Sequence, residues 1–122
     1  MLNILVVDDS EVIRRLLNDY LTELGHRVDL AFDGQEGIDR ALESEYHLII
    51  CDIHMPRKNG YQVYTEVSES KPETAFIMTD SLPDELAELA QKAGACCCLK
   101  KPFDLIEVRE TVEQVASAIE MP

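Results

Sequence analysis

No stretch of this chain approaches the run of about 18 apolar residues that a membrane-spanning helix requires, although apolar residues make up 46% of its 122 positions. A membrane location is not expected. Positive charge is scarce: 11 Lys and Arg stand against 24 Asp and Glu, a formal net charge of −13. Such a surface repels a phosphate backbone and carries no basic stripe, so nucleic acid is not expected as a partner of this chain. The first residues, Met1-Leu2-Asn3-Ile4-Leu5, lack the basic region and small-residue cleavage site of a secretory signal, acidic residues arriving already at Asp8 and Asp9. The 4 cysteines do not form the spaced framework of a small secreted domain, since three are consecutive at Cys96, Cys97 and Cys98. These absences point to a reducing, cytoplasmic setting. Linkers, internal repeats and low-complexity segments are lacking too, so residues 1–122 are read as one domain, long enough to hide roughly two-thirds of its unfolded surface.

What is present is a set of five short apolar runs, at residues 4–7, 28–32, 48–51, 75–78 and 95–99. Unbroken rather than alternating hydrophobicity is what a strand shows when both faces of its sheet are covered, the condition of a parallel sheet. The segments between them read as helices. Ser10 is a candidate N-cap for a first helix carrying Ile13, Leu16, Leu17, Tyr20, Leu21 and Leu24, stopped by Gly25. A second helix follows an Asp33-Gly34 turn and carries Ile38, Ala41 and Leu42. A third and short one begins near Gly60, offers Tyr61, Tyr64 and Val67, and ends before Pro72. The fourth opens with Pro83, presents Leu86, Leu89, Ala90 and Ala93 on one side, and stops at Gly94. The fifth starts at Asp104 with Glu107 three residues on, then repeats Val108, Val112, Val115, Ala116 and Ile119. The order is βα five times, an α/β doubly wound parallel sheet with helices on both faces, whose ligands bind beyond the carboxyl ends of the strands.

Chemistry-bearing residues collect at those ends. Asp8 and Asp9 follow the first run and Asp52 the third, so three carboxylates converge. Charges about 4 Å apart repel by roughly 4 kcal/mol at an effective dielectric near 20, so a divalent cation is implied, and few hard oxygen ligands suit Mg2+ better than Ca2+. Nothing in the pattern argues for zinc, which wants clustered thiolates or imidazoles. Taken alone, the aspartate pair also admits a plainer reading as solvated caps of a helix. Thr79 closes the fourth strand and Lys101-Pro102 the fifth, adding a hydroxyl donor and a fixed positive charge at the same rim, where an anion is expected.

With these motifs in hand, Val7-Asp8-Asp9-Ser10, Asp52-x-x-Met55-Pro56-x-x-x-Gly60, Met78-Thr79 and Lys101-Pro102-Phe103, the sequence resembles the response-regulator receiver domains of two-component signalling over essentially its whole length. Stand-alone chemotaxis-type members look most similar in size, the chain reaching only through its fifth helix. The resemblance implies a five-stranded flavodoxin-like sheet of order 2-1-3-4-5. It implies that Asp52 accepts a phosphoryl group, that Asp8, Asp9, Asp52 and the backbone carbonyl of His54 hold Mg2+, and that Lys101 and Thr79 take phosphoryl oxygens. It further implies a sensor histidine kinase or histidine phosphotransfer protein as donor, and a protein target read by the fourth helix, fifth strand and fifth helix. No enzyme activity on external substrates is expected beyond phosphotransfer to itself and self-dephosphorylation, and the expected state is a monomer or weak dimer. A cis Lys101-Pro102 peptide is expected as well.

The sequence departs from the family at two places. Cys98 stands where an aromatic lever is usual and is expected to pack as a small apolar plug. Asp80 follows Thr79 where a small residue is usual; it could slow phosphodonors or perturb the metal, but is expected to point to solvent. The His54 side chain is expected at the surface, His26 and His47 need no chemical role, and consecutive strand thiols face opposite ways, so Cys96, Cys97 and Cys98 cannot close one metal site. Two rival readings are a degenerate receiver kept as an interaction module and a Mg2+-dependent aspartyl-phosphate phosphohydrolase; the latter usually needs a second acid soon after the nucleophile, and Ile53-His54-Met55-Pro56 supplies none.

Overall fold

The structure is a computed structural model that describes residues 1–81, 85–95 and 97–120. Two expected features, Pro83 at the start of the fourth helix and Cys96 in the fifth run, lie outside the described residues. The elements run β1 (Asn3–Val7), α1 (Glu11–Glu23), β2 (Arg27–Ala31), α2 (Gly34–Glu43), β3 (Leu48–Asp52), α3 (Gly60–Ser70), β4 (Ala75–Asp80), α4 (Glu85–Ala93), β5 (Cys97–Lys100) and α5 (Leu105–Glu120). The strands form one parallel sheet of order β2-β1-β3-β4-β5.

Continuous apolar runs resolve into two cores because neighbouring strand residues face opposite sides. Leu5, Val7, Ile49, Cys51, Phe76 and Met78 pack under Ile38 of α2, Val63 and Val67 of α3 and Ala90 of α4. Ile4, Val6, Leu48, Ile50, Ile77 and Leu99 pack under Leu17 and Leu21 of α1 and Val108, Val112 and Val115 of α5. The central strand β3 is buried at every position, and each such aliphatic side chain taken from water contributes about 1.5–3 kcal/mol. Cys97 and Cys98 lie against different cores, and half-buried Cys98 fills space beside the α4 side, as a small plug should.

Helix punctuation is largely local. Ser10 accepts from the Ile13 N–H, and Gly25 and Gly94 adopt φ of +96° and +128° at helix ends, a region open to glycine at little cost. The Asp33-Gly34 pair is not a free turn: Asp33 caps α2 by accepting from the Glu36 N–H at 2.8 Å, and Glu36 accepts in return from the Phe32 N–H at 2.8 Å. The third helix is not short, its 11 residues exceeding the 10 of α2. Its start carries a capping box between Asn59 and Gln62, a signal present in the sequence and overlooked. Leu89 and Ile119, expected on buried faces, are 46% and 38% exposed. On α4, Leu86 and Ala90 pack into the core beneath the sheet, and Leu89 lies about 60° around the helix from Leu86. No helix among the described residues is long and apolar enough to cross a membrane.

Candidate functional site

The carboxyl ends of β1, β3, β4 and β5 bring the expected polar residues to one place. Asp8, one residue past β1, is buried; its N–H donates to the Ala31 carbonyl at 3.2 Å, extending the β1–β2 ladder. Its Oδ1 accepts from the Ser10 N–H at 2.9 Å, and its Oδ2 lies 2.7 Å from Lys101 Nζ. Asp52 ends β3, and its Oδ2 lies 3.4 Å from the same ammonium while its Oδ1 accepts from the His54 N–H at 3.4 Å. One carboxylate oxygen each from Asp8, Asp9 and Asp52 lies within 4.8 Å of the other two, Asp9 being the exposed member.

Thr79 is inside β4 rather than at its end, in register with Asp52, and is 1% exposed. The Ile53 N–H donates to the Thr79 carbonyl at 2.9 Å, tying the two strand ends together. Gly60 closes the β3–α3 loop against the site: its N–H donates to the Ile53 carbonyl at 2.7 Å, and a Cβ there would come within 2.6 Å of the Asp52 carbonyl oxygen. Only glycine permits that approach. The Lys101–Pro102 peptide is cis.

Burial, and then the neighbouring Asp8 charge, push the Asp52 carboxyl up from 3.8 to about 6, with Lys101 pulling the other way. Burial alone would lower the Lys101 pKa, but Asp8 and Asp52 together outweigh it and raise it. Three carboxylates against one ammonium leave a local deficit of two positive charges when all are ionised. The donor set is oxygen throughout and so suits a hard cation.

Asp80 corrects an expectation. It is 3% exposed and does not point to solvent. The strand runs one residue beyond Thr79, the Lys101 N–H fixes the Asp80 carbonyl at 2.8 Å, and His54 reaches over from the β3–α3 loop with Nε2 3.8 Å from Asp80 Oδ2. The imidazole of His54 itself is 53% exposed, as expected. Sequence reasoning overlooked Arg14, whose Nη1 donates to the Asp8 carbonyl at 2.8 Å. The available signal was its place four residues past the Ser10 cap, close enough to fold back onto the strand end.

A doubly wound α/β sheet with buried carboxylates and a lysine at the strand carboxyl ends places its charged residues where this class of fold binds ligands. Residues 4–113 match the response regulator receiver domain family. The chain is 33% identical over 123 residues to a probable chemotaxis protein CheY of Rhizobium etli, covering 97% of this chain and 95% of that one. It is 39% identical over 87 residues to response regulator RR06 of Streptococcus pneumoniae, covering 71% of this chain but only 40% of that protein. Among solved structures, the response regulator TrrA of Thermotoga maritima in complex with Mg2+-BeF superposes with a TM-score of 0.86 at 33% identity, covering 94% of this chain and 99% of that one. The chain belongs to the response regulator receiver domain family of two-component systems.

Proposed function

We propose that this domain, residues 1–122, is a phosphorylation switch in which Asp52 accepts a phosphoryl group from a phosphohistidine of a sensor histidine kinase or histidine phosphotransfer protein. A single observation carries the reading: Lys101 Nζ stands 2.7 Å from Asp8 and 3.4 Å from Asp52, beside carboxylates grouped closely enough to share an ion. An Asp52 oxygen attacks phosphorus; the P–O bond forms as the P–N bond breaks, and neutral imidazole departs with its ring proton. Asp8, Asp9, Asp52 and the His54 backbone carbonyl would hold Mg2+, which when bound supplies charge neutralisation between the anionic nucleophile and the anionic phosphoryl group.

Lys101 has three N–H donors and needs to shift only part of its contact with Asp8 to reach a phosphoryl oxygen. The buried Thr79 hydroxyl, in register with Asp52, takes a second oxygen. Self-dephosphorylation reverses the bond change: water attacks phosphorus, the P–O bond to Asp52 breaks, and inorganic phosphate leaves. The switch then acts as a population shift between Thr79 drawn to the phosphoryl group and Thr79 released, read by a protein target on the α4–β5–α5 face. A cytoplasmic location and a monomeric or weakly dimeric state complete the proposal.

Intact-protein mass spectrometry after incubation with acetyl phosphate tests it. A gain of one phosphoryl group that requires Mg2+ and is absent from Asp52→Asn supports the reading. Failure of wild-type protein to take up phosphoryl or to bind beryllofluoride would overturn it and leave a fold kept for its surface.

A further inference from the structure

We infer that Arg14 is a positioning residue for the acidic site, acting on the carboxylates of Asp8 and Asp9 through the main-chain carbonyl between them; the metal part of this inference rests on the Mg2+ reading above. Asp8 sits where a strand has ended and a helix has not begun. The register of β1 with both neighbours stops at Val7, paired with Ala31 and Cys51, and the helix cap is Ser10. The Asp8 N–H still finds the Ala31 carbonyl, and its two carboxylate oxygens take Ser10 and Lys101. Its carbonyl lies beyond the last strand pair and ahead of the helix, and it is this group that Arg14 holds at 2.8 Å in a partly buried contact.

Fixing that carbonyl fixes the Asp8–Asp9 peptide plane, and the plane sets the directions in which both side chains leave the backbone. Without the contact the plane can rotate, and the two carboxylates no longer converge on Asp52. The guanidinium also carries a positive charge close to the cluster, which by itself disfavours a second cation. Positioning and charge therefore predict opposite signs. Losing the contact weakens Mg2+ binding, whereas losing the charge alone strengthens it.

The test uses the full chain with Arg14→Ala, Arg14→Lys and Arg14→Gln. In metal-free protein, amide exchange of Ser10, whose N–H depends on the Asp8 carboxylate, is expected to quicken about tenfold or more in Arg14→Ala, while Ile50 and Val112 keep wild-type protection. Calorimetric titration with MgCl2 is expected to show affinity about tenfold weaker in Arg14→Ala, in line with the loss of an outer-shell partner. Arg14→Lys and Arg14→Gln, which keep an N–H donor, are expected to recover most of it, Gln at least as well as Lys. Unchanged Ser10 exchange, equal acceleration of the core amides, or Mg2+ binding in Arg14→Ala as tight as wild type or tighter would each overturn the inference. If wild-type protein binds no Mg2+, the metal reading fails, and the Ser10 exchange still decides whether Arg14 orders Asp8.

Discussion

The two ends of the same five strands are built on opposite electrostatic terms. At the amino end the backbone presents N–H groups, and two imidazoles answer them: the Leu2 N–H donates to His26 Nδ1 at 3.1 Å and the Asn3 N–H to His47 Nδ1 at 2.9 Å. The nearby Tyr46 hydroxyl donates to Asp29 at 2.7 Å, and burial followed by that carboxylate pushes its pKa up to about 12, so it stays a neutral donor. At the carboxyl end the backbone presents carbonyls, which draw donors from Arg14, Gly60 and Lys101. Buried carboxylates crowd the same place. One end answers its backbone N–H groups with imidazole acceptors, and the other holds an excess of negative charge that a cation can relieve. Because the five strands are parallel, their carboxyl ends share one edge of the sheet and their amino ends the other, so residues placed at like ends are gathered together.

Substitutions at the two ends should therefore differ in kind. The largest effect is expected from Asp52→Asn, which should abolish phosphoryl uptake from acetyl phosphate altogether, read by intact mass. Next, Lys101→Met leaves Asp8 and Asp52 buried without their shared cation. Urea denaturation at pH 7.5 without metal is expected to show a loss of about 3 kcal/mol, the scale for removing one partner of a buried pair, and saturating Mg2+ should restore part of it.

The third effect is a pH dependence confined to the carboxyl end. The Asp52 pKa is raised in the fold from 3.8 to about 6, so the folded state holds the extra proton across that window and stability falls as pH rises through it. By about pH 7 the penalty is complete, on the order of 3 kcal/mol. Metal-free Asp52→Asn should consequently match wild type near pH 4 and exceed it by that amount at pH 7.5 in paired denaturation curves. A gap that does not open between those pH values would show the carboxylate to be well solvated. The smallest effect is expected at the other end: His47→Ala exposes one backbone N–H to water, costing about 1 kcal/mol or less and leaving phosphoryl uptake unchanged. Loss of uptake in that variant would break the contrast between the two ends.

Much of the carboxyl end was legible because its residues occupy fixed places relative to the strands. Asp8, Asp9, Asp52, Thr79 and Lys101 all stand at or within two residues of an apolar run, and a parallel sheet gathers such positions at one edge. The amino end was less legible: His26 and His47 carry no expected chemical role, and nothing local indicated that their Nδ1 atoms would take backbone amides. Asp80 was misjudged because its burial depends on how far β4 continues and on His54 folding over it. Leu89 was misjudged because a stripe at three- and four-residue spacing spans more of the helix circumference than the part of α4 that packs on the core. The Asn59–Gln62 box was written in the sequence plainly enough, and Gly60 beside it drew the reading instead.

Spacing within one element or one turn was enough to set the order of strands and helices, the two-sided burial of the sheet, most helix stops, and the residues that meet at the strand carboxyl ends. Tertiary structure alone decided that one lysine bridges Asp8, 93 residues away, to Asp52, and that Asp80 is buried. Those outcomes depend on the distances and solvent exclusion between chain segments remote in sequence, and no local periodicity encodes them.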